Sequence, residues 1–188
     1  MRLILASQSP RRRELLALMG LTFDIVVSEV EETVPENIGP GELVEQLALD
    51  KAQAVRELHS EACVVGADTI VYIDGDIMGK PSDDADAARI LNRLQGRTHT
   101  VYTGVAVLTP GRTDVRHDAT RVTFAPMSEE EIAWYVGTGE PRDKAGAYGI
   151  QGPGGMFVER VEGNYFTVIG MPLPLLYRML QSAGAIVL

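Results

Sequence analysis

Strand and helix signals alternate along the whole chain, and this alternation constrains the fold more than any other feature: such chains build α/β domains. Residues 2–6 read as a short buried strand. Ser9 then suits a helix N-cap, Pro10 suits the first helical position, and Gly20 can close the helix in a left-handed conformation. A second strand is predicted at 23–27, followed by an acidic loop at 29–41 and a long helix at about 42–58. Residues 63–73 form an apolar strand that ends in an Asp74-Gly75 turn. Ser82 caps a third helix reaching about residue 94, and strands at 98–108 and 114–124 make a hairpin around Pro110-Gly111. Ser128 and the acids after it begin a fourth helix. Residues 139–155 hold six glycines and read as a structured loop, and a last helix follows Pro172.

A length of 188 residues suits one α/β domain spanning 1–188, folded as an elongated mixed sheet flanked by helices, with two lobes around a cleft. Hydrophobic residues make up 45% and charged residues 23%, which excludes disordered and fibrous classes. Seventeen basic residues against twenty-six acidic ones leave a net charge of -9. That charge argues against a nucleic-acid partner, whose affinity comes from neutralised phosphates, but not against a small anion held by a local cation cluster. A lone Cys63 points to a reduced compartment. The apolar stretch at 168–177 is broken by Pro172 and Pro174, so no membrane span is predicted. The expected location is cytoplasmic.

The informative residues are charges standing where the pattern asks for apolar side chains. In the long helix, Val44, Leu47, Ala48, Val55 and Leu58 form a stripe, and Lys51 lies within it. Its stem either snorkels along the stripe edge or carries an ammonium to meet an anion. In the first helix Leu15, Leu16 and Met19 face inward, which puts Arg11 and Arg12 on the core side of the helix start. Backbone N–H groups, the positive dipole end and two guanidinium forks would coincide there, with Ser7 and Ser9 adding hydroxyls. This is either a phosphate site or a solvated basic turn. Asp68 is the one charge in the run 63–73. A carboxylate in such a strand needs a cation, a metal or hydrogen-bond donors, or else a backbone turn at a strand end. Flanked by phosphate-binding cations, it would take a proton from an attacking water or help to hold a divalent metal.

Several motifs fail. Gly79-Lys80-Pro81 lacks the spacing and the Ser/Thr of a phosphate-binding P-loop, which leaves Lys80 as one more cation in a rigid turn. The glycine loop follows no strand and contains Pro153, so it is no dinucleotide fingerprint. It offers close backbone approach at Gly146, Gly149 and Gly152, with Asp143, Lys144, Tyr148 and Gln151 beside them. Gln151 carries the donor and acceptor needed to read a nucleobase edge. The histidines at 59, 99 and 117 lack metal-ligand spacing, and Cys63 reads as a small core residue.

Six segments in order resemble the motifs of the Maf family of nucleoside triphosphate pyrophosphatases, in its dTTP/UTP-type subgroup. They are Leu5-Ala-Ser-Gln-Ser-Pro-Arg-Arg-Arg-Glu-Leu-Leu16, Gly66-Ala-Asp-Thr-Ile-Val71, Gly79-Lys-Pro81, Thr98-His-Thr-Val-Tyr-Thr-Gly104, Asp143-Lys-Ala-Gly-Ala-Tyr-Gly-Ile-Gln-Gly152 and Gly170-Met-Pro172. The resemblance implies a fold similar to that of inosine triphosphate pyrophosphatases. It implies hydrolysis of a nucleoside triphosphate to the monophosphate and pyrophosphate with a divalent cation, Mg²⁺ or Mn²⁺. By position, Asp68 matches the family's proton-accepting carboxylate, Arg12, Lys51 and Lys80 match its triphosphate-handling cations, and Glu32 matches an acidic position near the metal. Arg11, Thr69 and Gln151 match the subgroup acting on dTTP and UTP, whereas the subgroup acting on 7-methyl-GTP has Trp, Gln and Glu there. Met171 stands where Leu is usual, a conservative departure. Normal and modified pyrimidine nucleotides would undergo the same chemistry. The family is also associated with inhibition of septum formation, so the rival reading is a nucleotide-binding regulator of cell division without turnover. The oligomeric state, a homodimer included, stays open.

Overall fold

A computed structural model describes residues 1–28, 30 and 38–186. In chain order the described elements are β1 (Leu3–Leu5), α1 (Pro10–Leu18), β2 (Asp24–Ile25), α2 (Pro40–Leu58), β3 (Cys63–Ile73), β4 (Asp76–Met78), α3 (Asp84–Leu94), β5 (Thr98–Thr109), β6 (Arg112–Phe124), α4 (Glu129–Gly137), β7 (Val158–Glu162), α5 (Tyr165–Ile169) and α6 (Leu173–Ser182). The strands form one mixed sheet in the order β2-β1-β3-β5-β6-β7, with β4 added to β3. β1 is parallel to both β2 and β3, while β4 and β7 run antiparallel to β3 and β6. This is the mixed α/β class that the alternation predicts.

The chain divides into two compact units. The first comprises Met1–Asp68, Thr103–Asp118 and Gly170–Leu188. Its core forms where Ile4, Val64 and Ala106 of the strands meet Ala48, Ala52 and Val55 of α2. The second comprises Thr69–Tyr102 and Ala119–Ile169. There Ile90, Leu91 and Leu94 of α3 pack with Phe124, Tyr135 and Tyr148. Each unit therefore buries an apolar set of its own, at roughly 25 cal/mol for each Å² removed from water. β3 passes from the first unit to the second between Asp68 and Thr69.

Local chemistry explains most boundaries. Ser9 caps α1 by accepting from the Arg12 amide, with Pro10 in the first turn, and Gly20 closes it at φ +70°. Asp74 and Gly75, both at positive φ, make the tight turn from β3 into β4. A capping box between Ser128 and Glu131 starts α4. The structure corrects the expected details in four places. α3 is capped by Asp83, whose carboxylate accepts from the Asp86 amide at 2.7 Å, and not by Ser82. α2 begins at Pro40, where the ring's fixed φ suits a first turn. Leu58 ends that helix 77% exposed, so it is outside the buried stripe. β4, β7 and α5 were not foreseen; they are short, and β7 carries charges at three of its five positions.

Candidate active site

The first unit positions its polar side chains at the carboxyl end of a parallel strand pair. Leu5 of β1 pairs with Val65 of β3, and the Ala6 amide continues the ladder to the Val65 carbonyl at 2.8 Å. Beyond that point β1 turns into α1, while β3 runs three residues further to Asp68. Open α/β sheets bind ligands at this edge. Ser7 is buried in the turn, and its Oγ accepts from the Ser9 amide at 3.2 Å. Arg12, on the first turn of α1, donates from Nε to the Gly170 carbonyl at 2.9 Å and makes a long 3.5 Å contact from Nη1 to Ser7 Oγ. Its guanidinium is thus held by the backbone beside the helix N-terminus, where the dipole favours an anion. Arg11 is half-buried next to it. Ser7, Ser9 and Arg12 make one hydrogen-bonded cluster.

Lys51 and Asp68 form the second feature. Gly66 of β3 lies so close to α2 that a Cβ there would collide with the Ala48 carbonyl and the Ala52 side chain, and a Cβ at Gly104 of β5 would strike Val44. These two glycines let the helix sit directly on strand backbone. Lys51, one position before Ala52, therefore delivers Nζ to Asp68 Oδ1 at 2.5 Å. The two side chains are only 17% and 10% exposed. Neither snorkelling to solvent nor a backbone turn at a strand end describes this arrangement. A carboxylate and an ammonium in a poorly solvated place interact strongly, and either one left without the other is costly. Chemically the pair offers an oxygen base and a cation at adjacent points.

In the second unit, Lys80 and Gln151 are exposed and Thr69 is half-buried. The turn bearing Lys80 is tied to the glycine loop, because the Gly146 amide donates to the Gly79 carbonyl at 3.0 Å. The loop's other glycines serve a purpose the sequence did not reveal. Gly149, Gly152 and Gly154 leave room for the protein's own Lys144, Glu140 and Tyr135, so the close approach expected for a ligand is taken up internally. Lys144 is held by Asp143 Oδ1 at 2.7 Å and the Glu140 carbonyl at 2.9 Å. Tyr148 is buried, with its hydroxyl 2.8 Å from His99 Nε2. Burial pushes the Tyr148 phenol up and the His99 imidazole down to about 4, so the pair is neutral near pH 7. Tyr135, Glu140 and His99 are the residues that sequence reasoning missed. Residue 99 sits inside a quoted motif, but nothing local told what it touches.

Cys63 is a buried core residue whose thiol burial pushes up to about 11, which rules it out as a nucleophile. Glu32 lies outside the described residues. Among the described residues no three His, Cys, Asp or Glu side chains gather into a metal-binding group. Mg²⁺ commonly takes one or two carboxylates together with substrate phosphates, and the hard oxygen of Asp68 fits that mode. Among the described residues no helix is long and apolar enough to cross a membrane.

Comparison with known proteins adds three findings. The family described as Maf-like protein matches residues 2–183. The dTTP/UTP pyrophosphatase of Bacillus cytotoxicus is 51% identical over 179 residues, 95% of this chain and 94% of its own, and that of Bacillus mycoides is 52% identical over 181 residues, 96% and 95%. The Staphylococcus aureus Ham1 protein has a similar fold, with TM-score 0.51 and 18% identity over 66% of this chain and 72% of its own.

Proposed function

The chain belongs to the Maf family, and from that premise we propose how its residues carry the activity. It is a nucleoside triphosphate pyrophosphatase that hydrolyses dTTP and UTP to the monophosphate and pyrophosphate. A water oxygen bonds to the α-phosphorus, and the bond from that phosphorus to the oxygen bridging to the β-phosphorus breaks. Asp68 accepts the water's proton, its position fixed by Lys51. Charge builds on the departing pyrophosphate, and Arg12, Lys51 and Lys80 supply positive charge to neutralise it. Ser7 and Ser9 shape the turn on which Arg12 stands. Arg11, Thr69 and Gln151 select the pyrimidine; exposed Gln151 presents an amide with both donor and acceptor. A divalent cation, Mg²⁺ or Mn²⁺, would be held by Asp68 together with Glu32 and would supply further neutralisation of the triphosphate. Local cations outweigh the net charge of -9 at the point where the polyanion binds. Such chemistry on the nucleotide pool fits a cytoplasmic enzyme.

The buried ion pair of Asp68 and Lys51 carries this reading: a solvent-poor carboxylate in an apolar strand has no structural need that an apolar residue would not meet. Asp68→Asn tests it. Pyrophosphate release from dTTP should fall by at least about 100-fold while the far-ultraviolet spectrum is kept. Turnover near that of the wild type would remove Asp68 from the reaction.

A further inference from the structure

Gln151 sits in a loop held by two side chains, Tyr135 in the last turn of α4 and Glu140 just beyond that helix. Tyr135, fully buried, donates its hydroxyl to Glu140 Oε2 at 2.6 Å, and the same hydroxyl accepts the Gly149 amide at 3.1 Å. Glu140 Oε2 also accepts the Gly154 amide at 2.9 Å. The loop is therefore fastened two residues before Gln151 and three residues after it, to one hydrogen-bonded unit. The glycines match this unit. A Cβ at residue 152 would collide with Glu140 Oε1, and one at residue 154 would collide with the Tyr135 hydroxyl. The backbone wraps the carboxylate at a distance that only glycine permits.

A carboxylate is suited to this place by its chemistry. One oxygen accepts two donors at once, and charge shortens and strengthens both bonds. Thr138 prepares the geometry: its hydroxyl donates to the Tyr135 carbonyl at 2.6 Å and accepts the Glu140 amide at 3.2 Å. Two of these bonds, donated by the Gly149 and Gly154 amides, tie down the backbone of the segment that exposes Gln151.

We propose that Tyr135 and Glu140 are positioning residues for nucleotide selection, fixing where Gln151 presents its amide to the base. The proposal rests on the reading of Gln151 as the residue that recognises the pyrimidine. A loop released from Glu140 would sample several placements of that amide. Discrimination between bases would then suffer while the phosphate chemistry, carried by other residues, continued.

The experiment measures kcat and KM for dTTP, UTP, dCTP and dATP in Y135F, E140A, E140Q, Q151A and the double variant Y135F/Q151A. Y135F and E140A should each lower the preference for dTTP over dCTP and dATP by about tenfold, through KM for dTTP. E140Q keeps an oxygen that accepts both hydrogen bonds and should restore most of the preference. The double variant should discriminate no worse than Q151A, because both changes act on one amide. A role in stability alone would scale every nucleotide equally and leave the ratio intact; that result with Y135F and E140A, alongside a reduced ratio in Q151A, overturns the positioning role and leaves Gln151 as the base reader. An unchanged ratio in Q151A overturns both. If Y135F fails to fold, E140A and E140Q decide the question, since Glu140 is only half-buried.

Discussion

Lys51 Nζ lies 2.5 Å from Asp68 Oδ1, joining the middle of α2 to the point where β3 leaves the first unit. The contact exists because Gly66 and Gly104 carry no side chains between helix and strands. If Asp68 takes the proton as proposed, function and packing meet at this contact, and changes there should affect stability and activity separately.

Removing one partner strands the other charge. Lys51→Met and Asp68→Leu should each lower the unfolding free energy by about 2–4 kcal/mol, and the double variant should return to within about 1 kcal/mol of the wild type while releasing no pyrophosphate. Urea titrations of the four proteins read the coupling. Single variants costing less than about 0.5 kcal/mol would show that the two groups are not coupled in solution.

Gly66→Ala should be far more damaging than an added methyl suggests. The new Cβ meets the Ala48 carbonyl, a backbone atom that cannot rotate away, so α2 has to shift as a body. A loss of about 2–4 kcal/mol is expected, together with a fall in kcat as Lys51 moves. Thermal melts and dTTP turnover check it; an alanine variant with an unaltered melt would contradict the close packing.

His99 predicts an acid limb of stability. Unfolded, its imidazole takes a proton near pH 6.5, whereas burial delays uptake in the folded protein to about 4. Between those values the unfolded chain binds more protons, so stability rises with pH across that window and the contribution is complete above 6.5. The part due to His99 is of order 3 kcal/mol. His99→Gln should flatten the difference between pH 4 and 6.5 when urea midpoints are compared. Parallel curves for the two proteins would show that residue 99 does not titrate this way.

Gln151→Glu replaces an amide donor with a carboxylate at an exposed site, so stability should change by less than about 0.5 kcal/mol. Turnover of dTTP and UTP should fall about 10- to 100-fold, because a base acceptor loses its donor and faces a charge. A nucleotide panel assayed for pyrophosphate gives the answer, and an unshifted preference would deny Gln151 its role.

Much of this was legible because the sequence breaks its own periodicity. Asp68 in an apolar run, Lys51 in an apolar stripe and paired arginines at a capped helix start all announce themselves by cost. Periodicity located the strands and helices around them, including the full extent of β3. What it could not supply was the meaning of small residues. Gly66 and Gly104 read as ordinary strand positions, and the purpose of Gly152 depends on Glu140, a residue of another segment. Short pieces such as β4 and β7 offer too few residues for a period to be counted, and charged β7 resembles surface. Tyr135 carries no local signal of its role, because its hydroxyl finds its partners only when the loop folds back.

The wrapping of residues 149–154 about Glu140 bears on anyone who would redesign base choice by exchanging segments between relatives. A graft cut at the loop's own ends would move Gln151 and abandon its bracket. A cassette that keeps both together begins upstream, at the Ser128 cap, and runs through the short turn Pro153–Phe157.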